Sequence, residues 1–479
     1  MTRLVLVNHW LMEISNKPPL GLGYLAAYLK RYLDFHNIAI INAGHKAFEK
    51  IRAARPEVVG FTAYSANYFD VVELMKRVKA ELGLPIILGG PHITCLPHKL
   101  SQYADIGVIG EGEETLRQLM RLFLEDGEFK PSKLSAINGI VYRENGGVKI
   151  TPTREPIIPL DRIPFPDREL LDIHRFLRPT PFLKTNQYIR GTSMLSSRGC
   201  PFKCIYCQVR AKWGNIRLHS AERVADEIEL LVKRYKVEGI YFADDLFATS
   251  HQRIKDIIDG MKRREILGNV QFALDLRANQ VTEKLIELLK KMGVVRISLG
   301  LESGSERILR YLKGENVTVK QNRRAVEIAN QHGIGCYCCF MIGAPPETKA
   351  DIRMTQRLIQ EILDRSTKNI CQVNVTTPFP GTELWDYAVE KGLVSEDTDW
   401  RQFSFDPRLA HHQDFYINEH IDFEEFQRIV RETVELARSR WLKSIVANFS
   451  LRYVRRAFTH PKLAYKIVRD YLKHRNSIQ

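Results

Sequence analysis

Residues 192–207 read Thr192-Ser-Met-Leu-Ser-Ser-Arg198-Gly-Cys200-Pro-Phe-Lys-Cys204-Ile-Tyr206-Cys207. A strand-like run leads directly into a loop that carries three cysteines within eight residues. Disulfides between such close neighbours would be cramped, and eight cysteines in 479 residues do not make a disulfide scaffold. Soft-metal ligation by thiolates in a reducing, cytoplasmic setting is the better reading. Three ligands are one short of four. A tetrahedral zinc or an iron–sulfur cluster would need a fourth from elsewhere, and no histidine or further cysteine lies nearby. That pattern suits an iron left open to a non-protein ligand.

Downstream of this loop, short apolar runs alternate with amphipathic ones: GIYFADD, IKDIIDGMKRR, VQFALDLRA, TEKLIELLKKM and VVRISLGLE, continuing to ICQVNVTTP and ELWDYAVEKG. The alternation predicts six β–α units over 191–400, a partial (β/α)6 TIM-like barrel rather than the eight of a full one. Chemistry in such barrels sits after the strands. The strand ends carry Asp244-Asp245, Asp275-Leu-Arg277, Gly300-Leu-Glu302-Ser303-Gly-Ser305 and Ile342-Gly343-Ala-Pro-Pro-Glu347. Cys336, Cys338 and Cys339 fall on one strand, whose period of two sends Cys336 and Cys338 to one face and Cys339 to the other. They read as small buried residues.

Upstream, residues 1–130 alternate strands and helices in the manner of a doubly wound, Rossmann-like parallel sheet. The N-terminal MTRLVLVNHWLMEI turns polar quickly and reads as a first strand, not a signal peptide. Turn residues cluster at expected strand ends, Gly89-Gly90-Pro91-His92 and Gly110-Glu111-Gly112, where ligands of open α/β sheets bind. Residues 131–190 predict a hairpin around Asn145-Gly146 and a proline-rich, extended linker. Residues 401–479 read as helical. The chain as a whole is therefore α/β.

Lysine and arginine outnumber acids 71 to 56, a net charge of +15. From Arg440 onward ten basic side chains face Asp470 alone, so +9 of that charge belongs to the last 40 residues. That distribution weakens a general nucleic-acid-binding reading, and no nucleic-acid partner is expected. The basic tail suits helices packed on the barrel, peripheral contact with anionic lipid, or an acidic partner. No apolar run is long enough to span a bilayer.

The CxxxCxxC loop with an aromatic before its third cysteine, opening a six-unit barrel, resembles the radical S-adenosylmethionine (SAM) superfamily. The resemblance implies that Cys200, Cys204 and Cys207 hold a [4Fe–4S] cluster and that SAM completes it. It implies SAM contacts from Tyr206, Asp244, Asp245, Arg277, Glu302, Ser303, Ile342 and Gly343. Pro346 stands where relatives often have glycine. The Gly-rich loops ahead of the barrel resemble cobalamin (B12)-binding domains fused to such barrels. They imply cobalamin contacts from Leu20, Gly21, Ser65, Gly89, Gly90, Pro91, His92, Gly110, Glu111 and Gly112. The loop Asn42-Ala-Gly-His45-Lys-Ala lacks the D-x-H-x-x-G motif, which implies cobalamin without a histidine lower ligand. A Rossmann domain that binds no cobalamin is the alternative. Methylthiolating relatives are discounted, because only Cys95 precedes the triad.

The family likeness implies a cobalamin-dependent methyltransferase. SAM would be cleaved to a 5′-deoxyadenosyl radical that abstracts hydrogen from an unactivated carbon, which then takes a methyl group by way of cobalamin. An external flavodoxin- or ferredoxin-type donor would supply electrons. The substrate would be a small molecule, a lipid or a peptide. A cyclase, oxidase or rearrangement enzyme on the same cofactors is the second expectation. A non-catalytic metal-binding or interaction protein is the third.

Overall fold

The structure is a computed structural model. It describes residues 4–10, 17–177, 179–181, 188–399 and 415–447. Five parallel strands form the first sheet: β1 (Leu4–His9), β2 (Ile38–Ala43), β3 (Val58–Thr62), β4 (Ile86–Gly89) and β5 (Ile106–Val108). Their order is β2-β1-β3-β4-β5, and Leu4 of the central β1 pairs with Ile38 on one side and Val58 on the other. Leu4 to Val7 are all buried, because helices cover both faces. Helices α1 (Leu20–Leu33) and α5 (Glu113–Asp126) pack together on one face. The other face carries α2 (Ala47–Ala54) and α3 (Tyr68–Leu82), and the short α4 (Pro91–Cys95) follows β4.

The predicted hairpin exists, but it does not belong to the linker. Strands β6 (Ile140–Glu144) and β7 (Gly147–Ile150) extend the first sheet antiparallel beyond β5. The sheet is therefore mixed, with seven strands. The physical reason is β5: only three residues long, it would leave an open edge, and the apolar Ile140, Val141 and Tyr142 close it.

The proline-rich stretch is ordered. Ile157, Leu160, Ile163 and Leu171 are buried against Leu20, Tyr24 and Tyr28 of α1. Arg168, within the same connection, is wholly buried and donates to Glu227 at 2.6 Å and to the Ser193 carbonyl at 3.0 Å. It ties the linker to the base of the second domain.

That domain is a curved sheet of six parallel strands in chain order: β8 (Gly191–Met194), β9 (Gly239–Phe242), β10 (Gln271–Leu276), β11 (Val294–Glu302), β12 (Gly335–Ile342) and β13 (Ile370–Val375). Sequence chemistry starts the surrounding helices. Ser220, Ser250, Thr282, Thr318, Thr348 and Thr382 each accept the backbone N–H three residues on, starting helices at Ala221, His251, Glu283, Val319, Lys349 and Glu383. Each such cap is worth about 1 kcal/mol. Among the described residues the barrel is not closed by β-pairing. Instead helix Phe423–Ala447 packs on β13 and on helix Lys349–Arg365, burying Phe426, Val430, Val434 and Ala437. The side chains of the basic tail lie outside the described residues. Among the described residues no helix is long and apolar enough to cross a membrane.

The buried Arg168–Glu227 pair yields a stability prediction. Glu227→Ala leaves a guanidinium uncompensated in the interior, so denaturant unfolding should show a loss of about 3–5 kcal/mol. An unchanged midpoint would mean that the linker is not anchored through this pair.

Candidate functional site

The cysteine loop leaves β8 through a short antiparallel ladder, Ser197 opposite Leu218 and Arg198 opposite Arg217. Gly199 follows with φ +90°, and a Cβ there would stand 2.7 Å from the Asn215 carbonyl, so only glycine fits. The loop is held further along by Ile205, whose N–H bonds the Leu312 carbonyl and whose carbonyl accepts from Leu384. Burial pushes the thiols of Cys200 and Cys207 up, the latter to about 11, and each feels the negative charge of its neighbours in the triad. Arg277 answers that charge: Nη1 lies 3.2 Å from Cys204 Sγ, Nη2 donates to the Lys313 carbonyl at 3.0 Å, and the guanidinium stacks over Phe202.

Three half-buried thiols within electrostatic reach of one another call for a cationic centre. Among the described residues no three His, Cys, Asp or Glu side chains close on a single ion position. A cluster does not require that, since each iron takes one thiolate. The donor set thus fits a cluster with one iron left without a protein ligand.

Around the triad the paired carboxylates separate. Asp245 accepts from the Gly199 N–H at 3.3 Å and is felt by both Cys200 and Cys207. Asp244 does not join it. Its oxygens accept from Ser196 N, Ser196 Oγ and Ser197 N at 2.5–3.1 Å, wholly buried, so it braces the loop's entry rather than facing a ligand. Both residues lie in the loop just past Phe242, where the backbone has left the strand and turns the two carboxylates apart. Glu302, at φ +58°, accepts from the Tyr206 hydroxyl at 2.7 Å and sits 3.4 Å from Lys313 Nζ. Burial, then the Glu302 charge, pushes the Tyr206 phenol well above its ordinary range.

At two further expected SAM contacts the protein's own groups already engage the polar atoms. Ser303 is wholly buried against Thr355 and accepts the Ser305 N–H. Ile342 is buried on the outer face, and the Gly343 N–H is taken by Glu347 at 2.5 Å, with the Phe426 ring pressed where a Cβ would stand. Glu347 also accepts from Ala344, yet burial holds its carboxyl up at about 8. Asn418 bonds the carbonyls of Ala344 and Glu347, so the C-terminal segment clamps this turn from outside.

At the carboxyl edge of the first sheet, Gly90 has φ +102° and a Cβ would meet the Ala63 carbonyl at 2.6 Å. Nothing lies within 4 Å of a Cβ built on Gly21 or Gly110, and only the Phe61 carbonyl, at 3.8 Å, approaches Gly89. These three backbones leave room for a broad ligand to approach closely, which fits a corrin. Pro91 begins α4, and Gly112 packs near Leu25. Four residues expected on the ligand face turn inward. Ser65 and His92 bond each other at 3.2 Å, and the His92 ring stacks on Tyr68, its pKa driven down to about 3 by burial. Leu20 belongs to the linker's apolar cluster. Glu111 spends both oxygens on Arg198 and Arg217 and accepts the Ile157 N–H. Burial alone would raise Glu111, but the two guanidinium partners outweigh it and hold the carboxyl below its usual range.

Arg198, Arg217 and Lys313 were not singled out from sequence. Arg198 donates to Glu111 at 2.8 Å and to Glu113 at 2.5 Å, and it stands two residues before Cys200. The signal available was an arginine beside the triad and a Gly-Glu-Gly-Glu-Glu run upstream, which only the fold brings together.

A model described as the radical SAM superfamily matches residues 194–359, and one described as the B12 binding domain matches residues 15–120. An uncharacterized methyltransferase of Pyrococcus horikoshii is 32% identical over 408 residues, 82% of this chain and 84% of that protein. The anaerobic magnesium-protoporphyrin IX monomethyl ester cyclase of Rubrivivax gelatinosus is 28% identical over 405 residues, 82% of this chain and 69% of that one. Among solved structures, the radical SAM methyltransferase TsrM of Kitasatospora setae, with cobalamin and a [4Fe–4S] cluster bound, superposes with a TM-score of 0.65. It is 18% identical over 82% of this chain and 75% of its own, a likeness of fold. The chain belongs to the radical SAM superfamily and carries a B12 binding domain ahead of its barrel.

The buried Glu347 makes stability depend on pH. Its folded pKa, about 8, lies above the ordinary carboxyl value of about 4.3. Its contribution is fully present below the ordinary value and is lost as pH rises through the folded one. The melting temperature should therefore fall across that window. Glu347→Gln, neutral throughout and still able to accept both N–H groups, should flatten the slope. An unchanged slope would show that the carboxyl is ionised in the folded chain.

Proposed function

We propose that this radical SAM enzyme transfers a methyl group from SAM to an unactivated carbon of its substrate, using a [4Fe–4S] cluster and cobalamin. One observation carries the reading: Arg198 and Arg217 join the loop framing the open glycine edge of the first sheet to the loop bearing the three cysteines. Both cofactor sites then open on one junction. The methyltransferase of Pyrococcus horikoshii supports the choice of reaction.

When bound, the cluster supplies the electron that cleaves SAM, and cobalamin supplies a carrier for the methyl group. The chain's own groups position and shield. Cys200, Cys204 and Cys207 would hold three irons, with Arg277 steadying the charge on Cys204. Asp245 offers a carboxylate to the SAM ammonium beside the triad. Glu302, oriented by Tyr206 and Lys313, is placed to accept from hydroxyl or ammonium groups of SAM. Gly21, Gly89 and Gly110 let their backbones approach the corrin. An external donor of flavodoxin or ferredoxin type would deliver the electron, within the cytoplasm.

The cyclase of Rubrivivax gelatinosus, similar over 82% of this chain, supports a second reading, ring closure on the same cofactors. Anaerobic reconstitution with iron, sulfide and cobalamin, then reductant and SAM, separates them. Methyl transfer predicts 5′-deoxyadenosine together with S-adenosylhomocysteine. 5′-Deoxyadenosine alone favours the cyclase. Neither product, or full activity in Cys204→Ala, contradicts both.

A further inference from the structure

From Ile173 to Ala221 the chain carries nine lysines and arginines and no aspartate or glutamate. The cysteine loop lies inside this stretch. Two of the nine, Arg198 and Arg217, are spent on Glu111 and Glu113. Three others surround the triad. Lys203 stands between Cys200 and Cys204, and Arg210 and Lys212 lie on the short helix Val209–Trp213 that follows Cys207. Lys203 and Arg210 are exposed, and among the described residues neither forms an ion pair. Lys212 is half-buried, 5.1 Å from the centre of the Trp213 ring, and its charge is felt at Asp245. The barrel helices show the contrast: there Arg263 meets Glu222, Arg323 meets Glu361 and Arg324 meets Glu283.

The loop has two sides. On one it packs against the barrel, with Arg277 over Phe202 and Ile205 tied to Leu312 and Leu384. Gln208 donates to the Pro380 carbonyl at 2.8 Å on the same account. On the other, Pro201, Lys203, Arg210 and Ala211 are exposed. Lys203 is the chain neighbour of Cys204, so no residue separates a cluster ligand from the protein surface. Electron transfer weakens steeply with distance, and a donor must therefore approach where the cover over the cluster is thinnest. That place is also where unpaired positive charge gathers.

We propose that this basic face, Lys203 with Arg210 and Lys212, is the docking surface for the external electron donor. The donor it fits is a protein whose own redox group is flanked by carboxylates. In its reduced form the donor passes one electron to the cluster and leaves oxidised by one electron. Complementary charge serves such an encounter by steering it, which raises association rates by about ten- to a thousandfold. Contacts of this class are small and transient, burying less than about 1,200 Å². A nucleic acid would also meet the charge, but nothing in its chemistry calls for a place beside the triad, whereas the electron does. The inference rests on the enzymatic reading above and adds its partner's docking face.

Two reductants applied to the reconstituted holoenzyme test it, with 5′-deoxyadenosine as the readout. One is an acidic bacterial flavodoxin with its reductase and NADPH, and the other is dithionite. With flavodoxin the wild-type rate should fall as salt rises from about 50 to about 300 mM, because exposed charges are screened. With dithionite it should not. The double variant Lys203→Glu/Arg210→Glu should lose about tenfold or more of the flavodoxin-driven rate. Its dithionite-driven rate should match the wild type, which also reports that the variant is folded and loaded. The neutral pair Lys203→Gln/Arg210→Gln should fall between the two. The proposal is overturned if the charge-reversed variant keeps the flavodoxin rate, if that rate ignores salt, or if both rates fall together. Wild type active with dithionite but not with flavodoxin overturns it as well. Wild type inactive with both contradicts the enzymatic reading itself. Binding of a single-stranded RNA lost in the variant, with the flavodoxin rate intact, would assign the face to nucleic acid instead.

Discussion

The structure turns on the guanidinium of Arg198, buried between Glu111 and Glu113, with Arg217 donating to both oxygens of Glu111. Two cations and two anions neutralise one another out of solvent. Such a network adds little net stability compared with an apolar contact, because desolvation offsets most of the attraction. What it adds is register. Both guanidinium groups have planar, directional donors, so the loop after β5 and the loop after β8 meet in one arrangement.

The consequences spread from that junction. Gly110 and Gly112 flank Glu111, and Gly199 and Cys200 follow Arg198. Fixing the ion pairs therefore fixes the glycine edge of the first sheet relative to the cysteine loop. A shared apolar cluster supports it, in which Leu384 and Trp385 of a barrel helix, with Phe415 and Ile417, join buried residues of the first domain. Farther round, Asn418 and Phe426 hold the turn at Gly343 from outside. The C-terminal segment thus finishes a barrel whose strands do not close on themselves.

Much of this was legible beforehand. The cysteine spacing, the six β–α alternations and the inward–outward split of Cys336, Cys338 and Cys339 follow from periodicity and ligand chemistry alone, and the structure keeps all three. Side-chain direction was less legible. Asp244 and Asp245 are adjacent and chemically alike, yet one braces Ser196 and Ser197 while the other faces the triad. Ser303, Ser65 and His92 carry ligand-like chemistry but spend it on neighbours brought close by the fold. The hairpin was recognised as a hairpin but not as a sheet edge, because pairing with β5 is a non-local contact. Arg198 was invisible for the same reason: its partners lie 85 and 87 residues away.

The most direct measurement is the bound iron and bound cobalamin per chain in a Glu111→Gln variant, purified anaerobically beside the wild type. The Glu111 side chain is spent on Arg198, Arg217 and the Ile157 N–H, and so holds both loops. If the junction sets both sites, iron and cobalamin occupancy should fall together while the chain stays folded. Wild-type occupancy of both cofactors, or loss of one with the other intact, would contradict it.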